Sequence, residues 1–186
     1  MRSAAAVAVF LAVAAVSGAV DLGSKHAVFD QLLSRPSVRQ DIEQKLDFVE
    51  TDDPPAEQSG ELTRRLLRNL EISRRLCPGI RLTLSTNPGI VFGFDMIPPF
   101  VVNIITMGMI VGVIALFALS SGGDFWLHTA LALILGGAIG NLYDRLFSAV
   151  ALPGADLAPI VGHVRDFVDC RELGYMYIFN LADVWL

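Results

Sequence analysis

A membrane-embedded α-helical fold is predicted by two features of this 186-residue chain. Hydrophobic residues make up 53% of it and charged residues only 18%, a balance too apolar for a soluble domain of this length. The apolar residues also gather into long runs without charge, while the charged ones crowd between them, the pattern of spanning helices joined by polar loops. Three full membrane helices and the start of a fourth are expected, with a polar insertion that holds two amphipathic helices and is followed by a strand.

The first run, Ser3 to Val20, follows Met1 and Arg2. Its length of about 18 residues is just enough to cross a bilayer core. Ser17-Gly18-Ala19 resembles a signal-peptide cleavage site, so on these residues alone the run is a retained span or a cleaved leader. Asp21 and Lys25 are expected to close this helix on one face, four residues apart. From Asp30 to Leu82 the chain is polar. Ser37-Val38-Arg39-Gln40 resembles a capping box, and Val38, Ile42, Leu46 and Val49 follow at helical spacing. Thr51 to Gly60, with Pro54 and Pro55, reads as a loop. Glu61 to Leu76 reads as a second amphipathic helix, either a solvated face or a surface laid on anionic lipid through Arg64, Arg65, Arg68, Arg74 and Arg75. The alternation of Ile80, Leu82 and Leu84 predicts a strand over Ile80 to Phe94 that is interrupted by a turn at Asn87-Pro88-Gly89.

Pro98 to Leu119 is the second span, opened by prolines whose missing N–H groups cost little at a helix start. Phe125 to Leu142 is the third. The tight loop Ser120 to Asp124 makes these two helices antiparallel neighbours. Gly108 with Gly112, and Gly136 with Gly140, are small-xxx-small steps that let another helix approach. Beyond Tyr143 the chain turns polar, and Ala151 to Gly162 reads as a loop. Tyr175 to Leu186 is apolar and aromatic but too short to span, so it reads as the beginning of a fourth helix.

Composition also excludes function classes. A net charge of −5 without a basic stripe argues against nucleic acid as a partner. Cys77 and Cys170 lack metal-ligand spacing. They read as two separate thiols, or as one disulfide if both face an oxidising compartment. His26, His128 and His163 form no HExxH pattern, and no G-x-S-x-G occurs, so neither a zinc site nor a serine nucleophile is expected. No cofactor is expected.

Ionisable residues within or beside membrane helices are functional candidates. Here they cluster as Asp21 and Lys25; Asn87 and Gly89; Asn141, Asp144 and Arg145; Asp166 and Asp169; and Asn180 and Asp183. About half of such residues are simple interfacial charges whose heads reach water, a reading that suits Asp21, Lys25, Asp144 and Arg145. Asp183 and Asp166 lie in apolar surroundings, where a lone carboxylate is costly. Two close carboxylates cannot both ionise, so one holds a proton while the other acts as base toward water. Such a pair hydrolyses amides without a metal or a covalent nucleophile.

In order and spacing these clusters resemble the lipoprotein signal peptidases, or signal peptidase II. The matching segments are DLGSK (Asp21 to Lys25), NPGIVFG (Asn87 to Gly93), GNLYDR (Gly140 to Arg145), VRDF (Val164 to Phe167) and FNLAD (Phe179 to Asp183). The resemblance covers about residues 1–30 and about residues 80–186. It implies a single multi-pass peptidase domain over 1–186 in the bacterial cytoplasmic (inner) membrane, with residues 30–80 as a periplasmic insertion. Four membrane helices with both termini in the cytoplasm and a small β-containing periplasmic cradle are implied. So is cleavage of prolipoproteins before their diacylglyceryl-modified cysteine, by a monomer in contact with membrane lipid. Asp166 and Asp183 would be the catalytic pair. Asp21, Lys25, Asn87, Gly89, Asn141, Arg145 and Asn180 would support them or bind substrate. On this reading the first helix is retained, since DLGSK must stay attached.

The chain departs from the family pattern in three places. The stretch between DLGSK and NPGIVFG is longer by roughly thirty residues, the length of two added amphipathic helices. Val184 follows Asp183, where the family usually has serine. Leu186 lies three residues past Asp183, which implies a fragment or an inactive product. The competing reading is therefore a non-catalytic membrane protein, truncated or an inactive paralogue, serving as a binding or scaffold element. The implied topology also puts nearly all Lys and Arg outside, against the positive-inside rule. That rule is weak for a segment as long as Asp30 to Leu82, but the shorter Asp144 to Arg171 stretch remains an exception.

Overall fold

A computed structural model describes residues 4–47, 56–89 and 98–185. Outside these lie Ser3, Val49, the expected loop residues Thr51 to Pro55, residues 90–93 of NPGIVFG, Phe94 and Leu186. The described elements are helices α1 (Ala4–Leu33), α2 (Pro36–Asp47), α3 (Ala56–Leu70), α4 (Pro99–Leu119), α5 (Phe125–Phe147) and α6 (Leu181–Trp185). The strands are β1 (Ser73–Cys77), β2 (Ile80–Asn87), β3 (Ala149–Val150), β4 (Ile160–Val161), β5 (Val164–Asp169) and β6 (Ile178–Phe179). They fall into two compact units, one of residues 1–24, 89–143 and 180–186, the other of residues 25–88 and 144–179.

The first unit is helical. Three helices, α1, α4 and α5, are long and apolar enough to cross a membrane. Phe10, Ala14, Val113, Phe117, Leu131, Ala132 and Leu135 form its core, and the rings of Phe10 and Phe117 stack at 3.8 Å. On α4, by contrast, Ile104, Ile105, Val111, Ile114 and Leu116 are exposed. A helix apolar all round that leaves such residues uncovered is suited to lipid rather than water. Of the two small-residue steps, only one is used for close packing. A Cβ at Gly136 would meet the Ala14 carbonyl at 2.5 Å and the Gly18 nitrogen at 2.9 Å. At Gly108 and Gly112 it would meet open space among the described residues, which corrects the expectation that a helix packs there.

The second unit is built on a four-stranded antiparallel sheet in the order β1-β2-β5-β6. The amphipathic α3 packs against β2 and β4. It buries Leu66 and Leu67, and the Thr63 hydroxyl donates to the Ala158 carbonyl at 2.7 Å. Strands β3 and β4 pair as a small separate ladder. They bracket most of the predicted loop over Ala151 to Gly162.

Three helix boundaries differ from expectation, the first being the start of α3 at Ala56, inside the predicted loop over Thr51 to Gly60. Asp21 and Lys25 do not close α1. The helix runs on to Leu33, because no proline intervenes before Pro36 and the buried polar side chains find partners. The helix expected over Glu61 to Leu76 ends at Leu70. Glu71 takes φ +41°, Ile72 is buried, and Ser73 to Cys77 pair with β2 instead. The cross-strand partner overrides a helical pattern that was weak past Leu70. Cys77 and Cys170 are both free thiols. Strand β2 lies between β1 and β5, so the two thiols are separated by about two strand spacings, roughly 9–10 Å, beyond disulfide reach.

Candidate active site

In the helical unit the polar side chains converge on the start of α6. Asn180 and Asp183 bracket its first turn as a reciprocal cap. The Asn180 side-chain oxygen accepts the Asp183 N–H at 3.2 Å, and the Asp183 carboxylate accepts the Asn180 N–H at 3.1 Å. Each answers a backbone donor that a helix start leaves over. The other Asp183 oxygen accepts from the Asn141 amide on α5 at 3.3 Å. The Asp21 carboxylate on α1, wholly buried, accepts the Ala182 N–H at 2.9 Å. An acidic group beside the first turn of a helix meets its unpaired donors and the positive end of its dipole. Glycines make room for this: a Cβ at Gly137 would meet the Ala182 carbonyl at 2.9 Å, and one at Gly140 would collide with the Asp21 carboxylate. Asp21, Asn141, Asn180 and Asp183, chosen from separate motifs, are thus brought together. Asp183 itself is exposed, contrary to the expectation that its apolar neighbours would enclose it.

Gly89 also belongs to this unit. It is buried, at φ +98°, with the Val102 side chain 3.0 Å from where a Cβ would stand. Both the left-handed backbone and the crowding explain a glycine after Asn87-Pro88.

In the sheet unit a second set gathers around Asp144, at the end of α5. This fully buried carboxylate accepts from the Arg165 guanidinium at 2.7 and 3.1 Å, from the Arg165 N–H at 3.0 Å and from the Ser148 hydroxyl at 2.9 Å. The Lys25 ammonium, equally buried, lies 3.4 Å away. Asp144 and Lys25 are therefore not interfacial charges that reach water. Arg145, next to Asp144 in the motif, is half-buried. The guanidinium on Asp144 comes from Arg165, which sequence reasoning missed; only its place before Asp166 hinted at a role.

Asp166 sits on β5, buried, opposite Ser85 in the register with β2, and Asn87 closes β2 opposite Val164. Asp169, its neighbour in the motif, is already engaged. The Arg171 side chain donates to it at 2.8 and 3.0 Å, the Arg171 N–H at 3.0 Å, and the Thr83 hydroxyl at 2.9 Å. The Arg171 contact, helped by these hydrogen bonds, holds its carboxyl down to about 2. A carboxylate locked to a guanidinium is a poor proton carrier, so Asp169 reads as a structural tie. No group of three or more His, Cys, Asp or Glu able to hold a metal occurs among the described residues.

Three apolar helices of spanning length, one of them faced with exposed aliphatic residues, define an integral membrane protein. The model of the Signal peptidase (SPase) II family matches residues 13–186, and the chain belongs to that family. It is 35% identical over 104 residues to a lipoprotein signal peptidase of Rhodococcus jostii (strain RHA1), covering 56% of this chain and 46% of the relative. It is 46% identical over 63 residues to one from Pseudomonas aeruginosa (strain UCBPP-PA14), covering 33% of this chain and 30% of the relative. Against one from Cyanothece sp. it is 34% identical over 112 residues, 60% of this chain and 57% of the relative. These matches thus span between about a third and somewhat over half of the curated relatives' lengths. A solved bacterial membrane enzyme, determined in meso at 2.3 Å, superposes with TM-score 0.51 at 24% identity over 68% of this chain and 73% of that one. A second, at 1.9 Å, gives TM-score 0.51 at 23% identity, covering 70% and 81%. At such identities these two structures speak for the fold.

Proposed function

We propose that this chain is a prolipoprotein signal peptidase of the bacterial inner membrane, an aspartyl endopeptidase without cofactor. It removes the signal peptide before the diacylglyceryl-modified cysteine. Asp166 and Asp183 form its catalytic pair. The observation that carries this reading is the setting of Asp183: the Asn141 amide and the Asn180 N–H fix both of its oxygens, at 3.3 and 3.1 Å. Both donors are neutral, so they aim the carboxylate without the guanidinium lock seen at Asp169. Asp169 and Asp144 are each committed to an arginine; Asp166, buried on β5, is the second member by its place in the VRDF motif.

In the reaction one carboxylate takes a proton from water, and the resulting hydroxide oxygen bonds to the scissile carbonyl carbon. The other, protonated, gives its proton to the carbonyl oxygen. Collapse of the diol breaks the C–N bond, and the leaving amine takes a proton. Asp21, Asn87, Asn141 and Asn180 hold backbone and carboxylates in place, while Lys25 and Arg145 supply positive charge among them. Gly89 allows the turn beside Asn87. The active site faces the periplasm, residues 30–80 form a periplasmic insertion in a single peptidase domain, and α6 begins a fourth spanning helix.

The test is cleavage of a lipid-modified prolipoprotein by the full-length enzyme. Asp166→Asn and Asp183→Asn are each expected to lower the rate at least 100-fold, the usual scale of lost acid–base catalysis. Asp169→Asn is expected to cleave within about tenfold of the parent at neutral pH, since it carries no reacting proton. Substantial turnover by either of the first two variants rules out the pair.

A further inference from the structure

Six of the chain's fourteen Lys and Arg residues fall between Arg64 and Arg81, although the whole chain carries −5. In the sheet unit three arginines, Arg64, Arg68 and Arg171, line one region together with the acid Glu71. At its centre lies a cleft of about 130 Å³ between α3 and β2, lined by Arg64, Arg68, Ser85, Thr86 and Arg171 among others. At roughly 30 Å³ of liquid per water, that is room for a phosphate-sized oxyanion. Arg64 is already tied to Glu61, and Arg171 to Asp169. No hydrogen bond or ion pair holds Arg68, Ser85 or Thr86 among the described side chains. Ser85 and Thr86 follow one another in β2, so their side chains stand on opposite faces of the sheet, and one of the two hydroxyls joins the Arg68 guanidinium at the cleft.

The same cleft reaches Ile178. Just before it in sequence comes a turn whose side chains stand out from the protein: Leu173, Tyr175, Tyr177 and Met176, the last 82% exposed. Tyr175 sits edge-on to both Tyr177 and Phe179, with ring centroids 6.0 and 5.4 Å away. A free apolar and aromatic turn next to a basic cleft is the composition of a surface at the headgroup level of a bilayer, rings in the interfacial layer and arginines toward phosphate.

We infer that this cleft binds the phosphate of an anionic lipid headgroup, with Arg68 as the main cation, one β2 hydroxyl, of Ser85 or Thr86, as a donor, and the Leu173–Tyr177 turn holding the acyl side of the lipid. Arginine suits such a ligand because its planar fork meets two phosphate oxygens at once. The chemistry is shared with free phosphate, and the aromatic turn is what separates the two sources.

Binding to the full chain, purified in an uncharged detergent at low salt, is measured by thermophoresis with two probes: inorganic phosphate and short-chain phosphatidylglycerol. Saturable binding of both is expected. Arg68→Ala should weaken both at least tenfold, and one of Ser85→Ala and Thr86→Val, but not the other, should weaken both in a chain whose charge is unchanged. Met176→Ser should weaken the lipid alone, by threefold or more. Arg74→Ala, an exposed arginine outside the cleft, should change neither by more than twofold. Binding of phosphate but not of lipid would overturn the lipid assignment, as would equal loss of both probes in Met176→Ser. Unaltered binding in Arg68→Ala, an equal loss in Arg74→Ala, or no saturable binding would overturn the site.

Discussion

At the scale of single residues, position in a motif and chemical role part company. Asp166 and Asp169 stand three apart on β5, and both are buried, yet Asp169 is answered by Arg171 and Thr83. Its carboxyl, normally near 3.8, is held down to about 2 by that contact. The native pKa is depressed, so the tie contributes fully above the unfolded value near 4 and is lost as pH falls from about 4 through 2. At 1.36 kcal/mol per unit the contribution is at most about 2 kcal/mol. Thermal unfolding in detergent should show the parent losing stability between pH 5 and pH 2. Asp169→Asn should start lower at pH 7 and lose less over that interval, and equal slopes for the two proteins would refute the tie. A sharper case is Asp144. Removing its charge takes away the carboxylate that Lys25 and Arg165 share, and breaking a buried ion pair costs about 3–5 kcal/mol. Asp144→Asn is therefore expected to unfold far below the parent. Lys25→Met, which leaves Asp144 paired with Arg165, should lose markedly less. Reading the sequence reached Asp21, Asn141, Asn180 and Asp183, because polar residues within apolar runs stand out. It took Asp144 for a possible interfacial charge, because the partner that buries it, Arg165, is 21 residues away on another element, and spacing along a helix carries no trace of such a contact.

Among the elements, legibility followed how local the cause is. The second and third spans were readable from unbroken apolar length, and β2 from alternation ended by Asn87-Pro88-Gly89. The first span's core was readable too, but its continuation to Leu33 was not, since Asp21 and Lys25 are tolerated inside a helix only through partners elsewhere in the fold. Strand β1 was hidden because its register is set by β2, not by its own residues. The two glycine steps make the same point. Both have the same spacing, but only Gly136 lies against another helix's backbone. Gly136→Ala is expected to destabilise, since the Ala14 carbonyl and the Gly18 nitrogen, both main-chain atoms, cannot easily move aside. Gly108→Ala meets open space, and alanine is the better helix former by about 1 kcal/mol. It should leave stability unchanged or raise it. Melting temperatures in one detergent compare the two directly, and a loss for Gly108→Ala as large as for Gly136→Ala would mean that α4 has a partner face here after all.

On the scale of the whole molecule, the open question is which side of the membrane the polar segments occupy. Counting charges favours Lys and Arg toward the cytoplasm, whereas the proposed peptidase needs its carboxylates, and the arginine-rich stretch from Arg64 to Arg81, on the periplasmic side. The rule loses force for long segments, which translocate largely regardless of charge. The stretch between the first two apolar runs is long because of α2, α3 and the β1–β2 hairpin. Cys77 offers a direct reading: its thiol is exposed at the end of β1 and makes no disulfide. In intact bacteria expressing a Cys170→Ser variant, a maleimide that cannot cross the inner membrane should label Cys77 as fully as it does in lysed cells. A parallel variant with Cys77→Ser and Cys170→Ser and a single cysteine placed in the Ser120–Asp124 turn, the connection between the second and third spans, should label only after lysis, since a five-residue link puts the turn on the opposite face from the polar segments. Labelling with the two outcomes exchanged would reverse the topology. It would carry Asp166 to the cytoplasm, away from substrates that are processed outside, and with it remove the peptidase reading for this chain.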